Sequence, residues 1–453
     1  MRRVRRPWRM LRRTRTAERL RRPGDRPLLF RCEGRMAMQQ VSIETLRASL
    51  PDPWTLPLEA LNVSDGRLFE ADAWRPWFER LRAEAPVHYC AESDFGPFWS
   101  VTRFEDIKAV DTDHETFSSE PAIIIGDPPE NFRTRSFIGT DGPRHDAERK
   151  AVQPTVAPRQ LAALEPLIRE RVVDILEQLP VGEVFDWVPT VSVELTTRML
   201  ATLFDFPYEE RHRLPYWSDV ATSGAATGSN RLSEEERQRE LMKMHDYFAE
   251  LWKEREVNPG NDFVSMMVKS EAYRGMSPME FLGQLNLLII GGNDTTRNSI
   301  SGGVLALNRF PSEYDKLRAD PSLVPNMVAE VIRWQTPLAH MRRTAKRDVE
   351  FGGQQIRAGD KVVMWYVSGN RDEEVFERAD ELLIDRPNAR SHVSFGYGVH
   401  RCMGNRLGEM QLRVLWEELL QRFRHVEVVG EPEFVRSNFV KGYAALPVVL
   451  HPH

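Results

Sequence analysis

The sequence predicts one domain over residues 41–453, mainly α with small β-sheets. Three observations predict it. Apolar residues recur at helical spacing through most of residues 158–307, and the strand signals are short and scattered. No internal repeat, heptad array or low-complexity linker divides residues 40–453. Length alone would suggest about three average domains, so the unbroken helical pattern is what argues for one.

Taken in order, Pro51, Pro53 and Pro57 mark an extended lead-in, and Trp74, Phe78 and Leu81 line one helix face. Val87–Cys90 and Phe98–Val101 read as a strand pair around a turn at Gly96-Pro97, followed by a short helix at Arg103–Asp111. Residues 118–140 read as a long loop holding exposed isoleucines, Ile123, Ile124 and Ile125. Loops of that length in compact domains are often lids or binding loops. Leu161, Leu164, Ile168, Val172, Ile175 and Leu179 form an apolar helical stripe, and Val193–Leu203 forms another. Gly224 to Asn230 breaks the pattern before a helix at Glu234–Arg255. A strong helix is expected at Met279–Leu307, interrupted at Gly291-Gly292 because two interior glycines cost roughly 1 kcal/mol each against alanine. Strand signals return after Thr344, around Val349–Phe351, Gln355-Ile356 and Val362–Tyr366.

Composition narrows the class. Hydrophobic residues make up 41% and charged residues 28%, which reads as a globular chain in water. Apolar runs are short, such as Leu285 to Ile290 with Asn286 inside it, and none is long enough to span a bilayer. The three cysteines, Cys32, Cys90 and Cys402, allow no disulfide framework or cysteine-rich metal cluster, in keeping with a reducing cytoplasm. Net charge is −5, but residues 1–35 carry fourteen arginines against Glu18, Asp25 and Glu33, a local +11 that leaves −16 for the rest. Residues 1–40 are therefore expected to be a basic, disordered extension, with Met36 or Met38 as an alternative start.

The chemistry concentrates at Phe395-Gly396-Tyr397-Gly398-Val399-His400-Arg401-Cys402-Met403-Gly404. Glycines at this spacing allow a tight turn and close approach to a flat group. Met403, Leu407, Met410 and Val414 then recur at helical spacing, placing Cys402 at or just before a helix N-terminus. There the backbone N–H groups and dipole favour a thiolate, the form that ligates iron. Taken alone, a lone cysteine is more often a buried structural residue.

The ten residues resemble the haem-binding signature F-G-x-G-x-H/R-x-C-x-G of the cytochrome P-450 superfamily without departure. Gly291-Gly292-Asn293-Asp294-Thr295 resembles its oxygen-binding A/G-G-x-D/E-T, Glu330 and Arg333 its E-x-x-R, and His145 to Arg149 its H-x-x-x-R. The resemblance covers about residues 60–450. It implies a triangular helical domain enclosing haem b, with Cys402 on the iron and Phe395, Gly396, Gly398 and Gly404 shaping the loop. It implies that His145, Arg149, Arg343 and His400 hold the haem propionates, and that Gly291 and Gly292 open the helix over the haem. Asp294 and Thr295 become an acid–alcohol proton relay. Glu330 and Arg333, joined by Arg386, secure the cysteine-loop region.

Local similarity in Leu287–Thr296, Trp334–Met341 and Asn438–Tyr443 is closer to the soluble bacterial alkane and fatty-acid ω-hydroxylases. That implies terminal hydroxylation of a medium-chain substrate in a sleeve of Ile124, Leu287, Leu288, Leu338, Met341 and Phe439. Electrons would come from a ferredoxin and its reductase, steered by Arg144, Arg149, Lys150, Arg401 and Arg406. Two other readings stay open: a hydroxylase of bulkier terpenes or sterol side chains, and a non-catalytic haem sensor.

Overall fold

Near the middle of the chain a 32-residue helix, Pro278–Arg309, is buried on almost every side, and the other helices pack around it. The computed structural model describes residues 42–229 and 232–453; the basic extension expected at 1–40 lies outside them. The helix starts on a capping box, in which Ser277 and Glu280 satisfy one another's backbone N–H groups, with Pro278 at the first position. It is continuous through Gly291 and Gly292, contrary to the break expected there. Packing accounts for the glycines. A Cβ at Gly292 would lie 2.7 Å from Leu200, and one at Gly302 would lie 2.5 Å from Gln335, so their absence lets neighbours approach closely.

The strand pair Val87–Cys90 and Phe98–Val101 forms as expected, antiparallel, with Cys90 opposite Phe98. It continues into a five-stranded sheet through Lys361–Met364, Met341–Ala345 and Phe117–Ser118. The strand Met341–Ala345 begins earlier than the pattern indicated. Arg342 and Arg343 disguise it, because both are buried only by pairing: Arg342 with Asp127 at 2.6 Å and Arg343 with Asp111 at 2.7 Å. A three-stranded sheet near the C-terminus joins Phe185-Asp186, Pro447–Pro452 and Phe423–Val428.

The loop over 118–140 is present but its isoleucines are not exposed. Ile125 is fully buried, and Ile123 and Ile124 are partly so. Backbone bonds hold it: Arg342 N–H donates to the Ile123 carbonyl at 2.8 Å, and Ile125 N–H donates to His340 Nε2 at 3.1 Å. His340 in turn donates from Nδ1 to the Asn438 carbonyl at 2.8 Å, and burial lowers its pKa to about 4, so it stays neutral. One imidazole thus ties the loop, the segment before Met341 and the C-terminal loop together. Residues 43–453 form one compact unit, and no described helix is long and apolar enough to cross a membrane.

Candidate active site

The cysteine loop is shaped by two left-handed glycines. Gly396 and Gly398 sit at φ +65° and +67°, and a Cβ on either would press on Asp111, at 2.9 Å from its carboxylate and 2.7 Å from its carbonyl. Cys402 N–H donates to the Phe395 carbonyl at 2.8 Å, closing the loop. Gly404 caps the helix Asn405–Arg422, so Met403 precedes that helix instead of starting it. The Cys402 sulfur lies deep in the protein yet keeps free surface toward a cavity. Burial pushes its thiol pKa up, opposed by the N–H of Gly404, by Arg149 and Arg401, and by the N–H of Asn405. Coordination to a metal is what deprotonates a buried thiol of this kind.

The cavity measures about 520 Å³. Cys402, Phe395, Gly396 and Gly404 line it together with Gly291, Gly292 and Thr295 of the central helix. Arg149, Arg343 and His400 reach it too, as do all six residues expected in the sleeve, Ile124, Leu287, Leu288, Leu338, Met341 and Phe439. Three expected site residues stand behind its wall: His145, Gly398 and Asp294. His145 packs on His400 with ring centroids 4.2 Å apart. Asp294 is fully buried, accepting from the Ser218 hydroxyl at 2.7 Å and paired with Arg297. Thr295 donates its hydroxyl to the Gly291 carbonyl at 3.0 Å.

These residues fit a haem on observations independent of the motif. An ideal Cβ at Gly291 or at Gly404 would meet no atom within 4 Å, and both line the cavity, so their bareness leaves room for a flat ring. His145 Nε2 and His400 Nδ1 are buried with no hydrogen-bond partner among the described residues. Burial first, and then Arg343, His145 and Arg149, push the His400 pKa down to about 2. Two arginines and two imidazoles, with Asp111 on Arg343 and Asp146 on His145, suit the propionates of such a group.

Glu330, Arg333 and Arg386 form a buried triad, with Arg333 bidentate on Glu330 at 2.7 Å and Arg386 at 3.0 Å. Arg333 also donates to the Asn370 carbonyl at 2.6 Å, and Asn370 binds Ser394 Oγ and Val393 N–H, immediately before the cysteine loop. Glu330 and Arg333 are wholly buried, so theirs is not a surface ion pair.

Asp111 escaped the sequence reading. Its buried carboxylate accepts from Tyr397 N–H at 2.6 Å, Tyr366 hydroxyl at 3.0 Å and Arg343 at 2.7 Å. A lone aspartate in a short helix gives no signal of that role.

A helical domain with a lone cysteine facing a glycine-lined cavity, and cations grouped beside it, defines a haem-thiolate protein. The cytochrome P450 family model matches residues 230–442. The linalool 8-monooxygenase of Pseudomonas putida is 38% identical, over 83% of this chain and 95% of its own. A methyl-branched lipid omega-hydroxylase of Mycobacterium bovis is 31% identical, over 82% of this chain and 90% of its own. Among solved structures, a cytochrome P450-153 from Novosphingobium aromaticivorans is 46% identical with a TM-score of 0.81, covering 88% of this chain and all of that one. The chain belongs to the cytochrome P450 family, whose members are monooxygenases that bind haem b.

Proposed function

We propose that this chain hydroxylates the terminal methyl of a medium-length, largely apolar chain, using dioxygen and electrons from a ferredoxin and its reductase. The observation that carries this reading is convergence. Six apolar side chains from four separated segments line the same cavity as Cys402, Gly291 and Thr295.

Cys402 would ligate the haem iron, steadied by the N–H groups of Gly404 and Asn405; Arg149, Arg343 and His400 would take the propionates, with His145 packed on His400 behind the wall. When bound, that group supplies reductive activation of dioxygen and insertion of one oxygen atom into a C–H bond. The protein supplies position, dryness and protons. Ile124, Leu338, Met341 and Phe439 exclude water and align the chain end-on. Thr295 carries a proton on Oγ1, resting on the Gly291 carbonyl, and Asp294 beside it in sequence is held by Ser218 and Arg297. Arg297 leads on to Asp219 at 2.6 Å, whose side chain is about half exposed, which connects the buried carboxylate to the surface.

Thr295→Ala is expected to keep haem and substrate affinity while diverting reducing equivalents to peroxide or water. Product formed per NADH consumed measures this, and an unchanged ratio would remove the relay role.

Arg144, Lys150, Arg401 and Arg406 are exposed on the segments that flank the cysteine side, where positive charge suits a small acidic ferredoxin. Arg149 does not belong with them. It turns inward, lines the cavity and donates to the Arg401 carbonyl at 2.5 Å.

A second reading, oxidation of a branched terpene-like chain, is favoured by the similarity to the linalool 8-monooxygenase. Products from linear substrates separate the two: a mainly terminal alcohol supports the first, and poor turnover or internal mixtures support the second.

A further inference from the structure

Asn286 interrupts the most apolar run of the chain, between Leu285 and Leu287-Leu288-Ile289-Ile290. The structure places it on the cavity wall, on one helical stripe with Gly283 and Ile290, which also line the cavity. Its side-chain oxygen is buried without a hydrogen-bond partner among the described residues. A buried carbonyl oxygen left without a donor destabilises the fold, and leucine has the higher helix propensity. The fold therefore gains nothing from it.

Two further atoms without a partner among the described residues line the cavity, His400 Nδ1 and Gln411 Oε1, but they belong to the cysteine loop and the helix that follows it; several other polar groups of the cavity are committed. Arg237 pairs with Glu234 at 2.7 Å, and Arg135 with Glu280 at 2.9 Å. The hydroxyls of Thr222, Thr227 and Thr295 bond to backbone carbonyls. These two charge pairs compensate themselves, and the uncommitted polarity of Asn286 is neutral.

We infer that Asn286 is the polar recognition point of the substrate site, and that the substrate carries a neutral oxygen function, a carbonyl or hydroxyl, at a set distance from the oxidised methyl. The inference rests on the terminal-hydroxylation reading for that distance. Asn286 precedes Gly291 by five residues, a rise of about 7.5 Å along the helix, or roughly six extended methylenes. A chain whose methyl end lies beside Gly291 and Thr295 then presents an oxygen about six carbons away to the amide, which can turn to donate or accept.

The test is equilibrium binding to the haem-loaded enzyme of three probes: n-octane, 2-octanone (carbonyl six carbons from the far methyl) and octanoate. Asn286→Leu is expected to weaken 2-octanone about three- to tenfold, the worth of one hydrogen bond, with n-octane bound as well or better. Asn286→Ala serves as the second variant, with haem content checked by the carbon monoxide-bound spectrum. Equal changes for 2-octanone and n-octane would overturn the inference. A loss confined to octanoate would overturn the neutral oxygen in favour of an acid. Products separate the two readings: internal oxidation of 2-octanone with a selective loss in Asn286→Leu leaves the recognition point standing and removes the terminal-methyl assignment.

Discussion

Replacing Cys402 with alanine is expected to reduce hydroxylation to background and to remove the thiolate-type absorption of the reduced, carbon monoxide-bound protein. The sulfur is the one thiol that faces the cavity, since Cys90, the other described cysteine, is buried elsewhere with its pKa pushed up to about 11. The loop should survive the change. Its turn depends on Gly396, Gly398 and the Cys402 N–H bond to Phe395, none of which needs the sulfur. Thermal unfolding of the variant without haem should therefore match that of the wild type without haem. A thiolate-type band persisting in Cys402→Ala would mean that another residue ligates the iron.

The second large effect belongs to Glu330. Glu330→Gln is expected to destabilise the protein by about 3–5 kcal/mol, because it leaves two arginine charges buried against a neutral amide. Arg333 and Arg386 are held by that carboxylate and between them bond five backbone carbonyls of residues 370–381. Losing the charge frees Arg333 from Asn370, and Asn370 from Val393 and Ser394. Denaturant unfolding reads the stability, and haem retained after gel filtration reads the loop. A variant of full stability and full haem content would show that the triad does not organise the cysteine side. Arg333→Lys should be damaging as well, since an ammonium cannot bind the carboxylate in the bidentate geometry seen here.

The legible parts of the sequence were those where local rules and chemistry coincide. The helix after Cys402 and the strand pair around Gly96-Pro97 follow from apolar spacing and turn residues, and the structure holds both close to the expected bounds. Leu287, Leu288, Leu338 and Met341 could be named because they lie near Gly291-Gly292 or follow Glu330 and Arg333, Ile124 because it sits in a long loop, and Phe439 from local similarity near the C-terminus. Their convergence on one cavity is a property of the tertiary fold. Much of what stayed hidden comes from burial of polar groups by distant partners. Arg342 and Arg343 obscured a strand because Asp127 and Asp111, more than two hundred residues away, neutralise them. Asp111 itself was invisible for the same reason. The central helix runs on through Gly291-Gly292 because the space a side chain would need is filled by Leu200 on one side and left to the cavity on the other. Propensity alone could not register that.

The account turns on where the oxygen atom goes. A terminal C–H bond is stronger than an internal one, so attack on the methyl requires a cavity that admits the chain end first. Product analysis by gas chromatography, with octane and dodecanoic acid and a surrogate ferredoxin system, measures this directly. The expected result is mainly the terminal alcohol from the wild type, with oxidation moving inward to the next carbons in Leu338→Ala and Met341→Ala, where the wall is cut back. A wild type that gives mixtures dominated by internal alcohols with every linear substrate would contradict it.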